Sequence, residues 1–395
     1  MNSTANCLLL LFLTIGSTAT AQQPCNSGPP TKAIIDWPEF RFDLCHTGFN
    51  RYEFVLSPAT VGHLGLKWQF AEVNLNFESS PAVVNGVVYI GAYPSDMYAL
   101  NATTGALLWD YSTDPLPVSS SPAVANGMVY FGIGPYIRGD GALYALNAST
   151  GTLIWQRGME LVSSSPAVVN GVVYVGSDDS NVYALNVSTG AVLWQYTIGG
   201  AVDSSPAVVT GVVYVGSENG NVYALNAATG ALLWQYATGG DGLYSSPAVA
   251  NGVLYIGGGY IHGNGRVYAL NASTGALLWQ YTTGSGDGPS SPAVANGVVY
   301  IGSRDDNLYA LDASTGALRW NYTTGNWVNS SPAVANGVVY VQPDDSNVYA
   351  LNASTGALLW SYATGGGLTS SPTVANGVMY VGSFNGVYAF DLPSH

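Results

Sequence analysis

Along most of the chain, short apolar runs such as Val-Val-Tyr-Val-Gly at Val172–Gly176 and Val-Tyr-Ala-Leu at Val182–Leu185 alternate with clusters of Gly, Asn, Ser and Thr. Apolar runs of this length, bounded by turn residues and lacking polar alternation, predict strands covered on both faces. The pattern also repeats. The proline of a Ser-Ser-Pro element falls at residues 81, 122, 166, 206, 247, 292, 332 and 372, at intervals of 40 or 41 residues except 44 after Pro122 and 45 after Pro247. A period near 40 containing several short strands predicts propeller blades. Each unit reads as four strands, A to D, exemplified by Ser-Pro-Ala-Val-Ala, Val-Val-Tyr-Val-Gly, Asn-Val-Tyr-Ala-Leu-Asn and Ala-Leu-Leu-Trp-Gln-Tyr.

The connections support this parse. Asn-Gly between A and B, as at Asn296-Gly297, is a strong signal for a two-residue hairpin, because both central positions of a type I′ turn have positive φ. Asn-Ala-Ser-Thr-Gly between C and D supplies an Asn for an Asx-turn and a Gly for a left-handed position. Proline at the start of strand A is tolerated at an edge, which puts Ser-Ser-Pro on the wall of the central channel. One Trp per unit, at positions 68, 109, 155, 194, 234, 279, 320 and 360, is expected to fill the space between successive blades.

The last copy ends at Gly-Val-Tyr-Ala-Phe-Asp without a D strand, whereas Leu-Gly-Leu-Lys-Trp-Gln-Phe around Trp68 is a D strand without a preceding blade. The expectation is an all-β fold: one eight-bladed propeller of four-stranded antiparallel blades over residues 64–392, closed by an N-terminal outer strand that completes the last blade. Residues 22–63 form an arm before it.

Composition narrows the setting. Nine Lys and Arg against 23 Asp and Glu give a net charge of −14, which disfavours nucleic acid and anionic lipid as partners. Residues 1–21 hold an apolar run, Leu8–Leu13, then Ala19-Thr20-Ala21, and read as a cleaved secretory signal. The run falls well below the ~20 residues of a membrane-spanning helix. A periplasmic or extracellular monomer is expected. Cleavage would leave Cys25 and Cys45 as an even pair in an oxidising compartment, suited to a disulfide.

The unit Ala-Leu-Asn-x-Ser-Thr-Gly-Ala-Leu-Leu-Trp resembles the tryptophan-docking motif of pyrroloquinoline quinone (PQQ) repeat propellers, and the segment from Trp37 to Trp68 is similar to their lead-in. That superfamily includes quinoprotein dehydrogenases, which carry adjacent cysteines against the quinone, Ca²⁺ ligands and a catalytic Asp, and non-enzymatic BamB-type proteins of outer-membrane assembly. This sequence has no Cys-Cys pair and no Cys-x-x-Cys-His haem site. The resemblance therefore implies a non-catalytic binding or assembly scaffold without a cofactor. The alternative is an oxidoreductase of the alcohol or sugar dehydrogenase type, dependent on PQQ and Ca²⁺, with a degenerate site.

Alternating strand direction puts the Asn-Gly and Asn-Ala-Ser-Thr-Gly turns on one face and the D–A and B–C loops on the other. Copies differ on the second face, so recognition is expected there or in the channel mouth. Two enlarged B–C loops contribute Tyr136, Arg138, Asp140, Tyr260, His262 and Arg266. The D–A loops add Tyr244 and Trp327. Exposed aromatics and Arg are the side chains of recognition sites, so these residues are expected to rim a surface for a protein, peptide or glycan. The short acidic turns at Ser177, Ser217, Ser303 and Pro343 offer too few oxygens for Ca²⁺ and read as ordinary hairpin turns.

Overall fold

The computed structural model describes residues 36–71, 75–134, 139–239, 242–259, 265–285, 288, 290–366 and 370–393. Eight blades of four antiparallel strands follow one another around an axis, each running from its inner strand A to its outer strand D, and Phe49–Asn50 of the arm adds a short parallel strand to the inner edge of the seventh. The first blade runs from Ala82–Val84 to Leu107–Tyr111, and the seventh from Ala333–Ala335 to Leu358–Ala363. The eighth takes strands A to C from the C-terminus, and its outer strand is Gly65–Phe70, antiparallel to Gly386–Asp391. The ring thus closes where the sequence leaves a half-blade at each end, and Lys67 pairs with Asp391 across the seam.

Blades cannot cover their own faces, and the tryptophans show how neighbours do it. Trp234 Nε1 donates to the carbonyl of Ala272 in the next blade at 3.0 Å, and Tyr214 from strand B of the same blade donates to the same carbonyl at 3.0 Å. The pairs Trp109 with Tyr89, Trp155 with Tyr130, Trp194 with Tyr174, Trp279 with Tyr255 and Trp320 with Tyr300 repeat this on the carbonyls of Ala148, Val187, Ala227, Ala313 and Ala353. Trp68 and Tyr380 converge on Ala102 in the same way. The eighth blade has no C–D turn to receive the seventh, so Trp360 donates instead to Leu64 in the arm, at 3.0 Å.

A glycine lies under every docking ring except that of Trp360. The C–D turn is an Asx-turn, with Asn271 Oδ1 accepting from Ser273 and Thr274, and it ends in Gly275 at φ 73°. A Cβ there would lie 2.6 Å from the Trp234 ring.

The two serines of each Ser-Ser-Pro have separate tasks that the repeat alone did not disclose. The first ties its blade together: Gly176 N donates to Ser164 Oγ at 2.7 Å, and Gly132 N to Ser120 Oγ at 2.7 Å. The second ties blade to blade. Ser80 N donates to Ser121 Oγ, and the relay continues through Ser165, Ser205, Ser246, Ser291, Ser331 and Ser371 back to Ser80, each step 2.9 or 3.0 Å. A closed circle of eight hydroxyls lines the channel.

The arm lies inside that channel. Strand A of every blade presents an unpaired edge to the axis, and the arm winds past those edges in blade order. Trp37 exchanges both main-chain bonds with Val83, at 2.7 and 2.8 Å. Pro38 O then accepts from Val124, Leu44 O from Val208, Cys45 O from Val249, Thr47 O from Val294 and Gly48 O from Val334, at 2.7 to 2.8 Å. At the third blade the carboxylate of Glu39 takes the Val168 amide, and at the eighth Asn50 Nδ2 donates to Val374 O at 2.8 Å. Cys45 is disulfide-bonded, and Cys25, its expected partner, lies outside the described residues.

So tight a coil has costs. Arg41, Phe42 and His46 sit at φ 64°, 78° and 52°, where side chains are strained. Burial holds His46 neutral with its pKa down to about 3, and lowers Arg41 to about 9.

Gly275→Ala should destabilise the chain by about 2 to 4 kcal/mol, combining positive-φ strain with overpacking against Trp234. Gly252→Ala, at φ 78° with open space around its Cβ, should cost about 1 to 2 kcal/mol from backbone strain alone. Denaturant unfolding of both variants checks the difference.

Candidate binding pocket in the channel

Closing one end of a tube makes a pocket. From the face carrying the D–A and B–C loops, the channel descends past the serine circle to Phe40 of the arm, enclosing about 480 Å³. Two tiers line it. The lower is the second serine of every Ser-Ser-Pro, and the upper is the residue just before the element, including Glu78, Ser119, Ser163, Asp203, Tyr244 and Asn329. Strand A begins at the channel wall in every blade, so among the described residues this one register position lines the pocket in six copies.

Charge on the wall is one-sided. Asp203 hydrogen-bonds to Asp178 and Glu218, and burial among these carboxylates raises its pKa to about 8. Asp178 is itself buried. Opposite them, Asn329 accepts from Arg304 Nε at 3.0 Å and donates to Asp344 at 2.7 Å. Arg304 in turn stacks on Trp327, its guanidinium carbon 5.1 Å from the ring centroid. Trp327 therefore stands at the rim, 47% exposed.

The residues anticipated from sequence divide accordingly. Tyr244 lines the pocket and Trp327 flanks it. Arg266 is half-buried at the start of strand C in the fifth blade, paired in register with Gly258 and Thr282 and away from the pocket wall. Tyr136, Arg138, Tyr260 and His262 lie outside the described residues, as does the side chain of Asp140. Asp203 and Glu78 were not singled out from sequence, whereas the Ser-Ser-Pro serines stand on the channel wall as anticipated. The position preceding Ser-Ser-Pro, read down the eight copies, is the signal that would have found them.

The opposite face is less uniform than its turns suggest, because the arm breaks the eightfold symmetry. The arm reaches the A–B turns of the first and eighth blades, where Asn85 N donates to Asp36 and Gly377 N to Glu53. The sector of the fourth to sixth blades keeps a groove of about 870 Å³ lined by Arg51, Trp234, Asn251 and Asn296. Among its described lining residues there is no cluster of titratable groups comparable to that around Asp203.

The family model described as outer membrane protein assembly factor BamB matches residues 65–201, 139–291 and 263–394. The chain belongs to this PQQ-repeat propeller family. Among solved structures, BamB from Moraxella catarrhalis is similar over 83% of this chain and 99% of its own, at TM-score 0.67 and 20% identity. Quinohemoprotein alcohol dehydrogenase from Comamonas testosteroni is similar over 91% of this chain and 82% of its own, at TM-score 0.78 and 18% identity. Such identities establish shared fold alone. A curated quinohemoprotein alcohol dehydrogenase from Comamonas testosteroni is 34% identical over 71 residues, 18% of this chain and 10% of that enzyme's length.

PQQ, the cofactor that the resemblance of the repeat motif implies, is a tricarboxylate. The pocket wall presents Glu78, Asp178, Asp203 and Glu218, with no Lys, Arg or His among its described lining residues. Like charge meets like charge there, and the residues present do not fit that group.

The folded chain raises the Asp203 pKa, so the stability this residue contributes is complete below about pH 4 and declines as pH rises towards about 8. Asp203→Asn keeps the shape and removes the titration. The variant should melt above the wild type at pH 8.5 and not at pH 4, as paired thermal melts will show.

Proposed function

We propose that the chain is an exported, non-catalytic binding or assembly scaffold that presents its variable loop face to a partner. The carrying observation is an arc of exposed aromatic side chains on that face: Trp327 before the seventh blade, Phe384 in the eighth and Tyr93 in the first, 47%, 44% and 38% exposed. Exposed aromatics on a rigid base are the usual anchors of an interface. Trp327 has such a base, since Arg304 packs on its ring and its carbonyl accepts from Asp344 N at 2.8 Å. The description of the matching family as an assembly factor supports a protein partner. The acidic lining of the channel supports binding without a quinone, and the N-terminal pattern of residues 1–21 supports export.

Two measurements test this reading. Titration with PQQ and Ca²⁺, followed by a dye-linked alcohol oxidation assay, should give no heat and no turnover. Tight one-to-one binding with turnover would overturn the scaffold. Affinity purification from the native envelope should recover a stoichiometric partner that a Trp327→Ala, Phe384→Ala double variant loses, while its melting temperature is unchanged.

A further inference from the structure

We infer that the loop face docks a cationic segment of its protein partner, one in which Lys or Arg side chains flank an apolar anchor. The inference rests on the binding-scaffold reading and names the chemistry of the partner for that face.

The first ground is the way charge divides between the two faces. The B–C turns of the third, sixth and seventh blades carry the adjacent pairs Asp178-Asp179, Asp305-Asp306 and Asp344-Asp345. Glu218 in the fourth B–C turn and Asp203 in the D–A loop before it add to them. Among the described residues of these loops the one Lys or Arg is Arg304, and it is engaged within the face, donating to Asn329 and packing on Trp327. The opposite face differs. Among the described residues its A–B and C–D turns carry one charged side chain, Asp312, and Arg319 neutralises it at 2.7 Å. The negative field of a chain with net charge −14 is therefore concentrated at one end of the ring, where it draws in a cationic partner and turns it towards the loop face.

The second ground is where the apolar anchors stand. A single register position, the second residue of the B–C turn, carries Tyr93, Asp178, Glu218, Arg304, Asp344 and Phe384 in the first, third, fourth, sixth, seventh and eighth blades. It is aromatic next to Trp327 and charged around the rest of the mouth. In a ring of eight, the eighth blade lies across the axis from the fourth, so Phe384 stands opposite Glu218. Asp305 and Asp306 flank the other end of the aromatic arc, beside Arg304 and Trp327. A segment crossing the mouth thus meets aromatic surface bordered on both sides by carboxylates. An apolar anchor with Lys or Arg on either side matches that order. An acidic segment meets like charge, and a neutral one strips water from the carboxylates without replacing it.

The test is a display selection of random dodecapeptides on the immobilised full chain, followed by calorimetric titration of the selected peptides. These should be net cationic and carry an aromatic or large aliphatic residue. Their affinity should fall about tenfold or more between about 0.05 and about 0.5 M NaCl. The double variants Asp178→Asn, Glu218→Gln and Trp327→Ala, Phe384→Ala should each weaken binding about tenfold, with circular dichroism confirming an intact fold. Selection of neutral or acidic peptides, no enrichment at all, or cationic peptides indifferent to salt or to either double variant would each overturn the inference. Any of these results beside a Trp327-dependent envelope partner would remove the cationic segment and leave the scaffold reading. Cationic peptides that bind as described without any envelope partner would remove the scaffold reading and leave the docking chemistry of the face.

Discussion

Eight inner strands that point their open edges at a common axis leave a ring of main-chain donors and acceptors in a narrow channel. Unpaired buried backbone groups cost on the order of 1 to 3 kcal/mol each, so a propeller of this size must answer that edge. Here the arm answers it. Residues from Trp37 to Asn50 supply one hydrogen-bonding partner per blade as the chain winds past them. The same segment then delivers Leu64 to Trp360 and the strand Gly65–Phe70 to the last blade. Edge satisfaction, ring closure and the blocking of one end of the channel are thus performed by one continuous piece of chain.

Repetition and asymmetry divide the work. The repeated residues build the frame: Trp and Tyr share a carbonyl of the next blade, glycine makes room for the ring, and paired serines lock strand to strand and blade to blade. These features recur around the ring, the junction at Trp360 departing from the shared carbonyl and the glycine, and the frame is nearly eightfold. Departures from that symmetry come from the arm and from the residue before each Ser-Ser-Pro. The chemically distinctive groups, the carboxylates around Asp203 and the Arg304–Asn329–Asp344 chain beneath Trp327, gather at those departures.

Much of the frame was legible because the repeat states the same local physics eight times. Asn296-Gly297 announces its hairpin, and both residues have positive φ in the structure, at 50° and 76°. The orphan strand around Trp68 predicts the seam. The site was harder to read, since a search for enlarged loops and exposed aromatics favours residues far from the axis. Asp203 lies in a D–A loop with nothing local to mark it, and Glu39, Arg41 and His46 lie in the segment that resembles a lead-in. What places them at the axis is a long-range condition, the need of eight inner edges for partners, which no local pattern expresses.

The most direct measurement is residue-resolved amide hydrogen exchange on the full chain, following Val208, Val249, Val294 and Val334. If the arm caps the inner edges, these amides exchange as slowly as those of strand B in the same blades, through opening of the whole ring. Exchange at the rate of open turn amides would contradict the account, because the channel would then lack the plug that makes it a pocket.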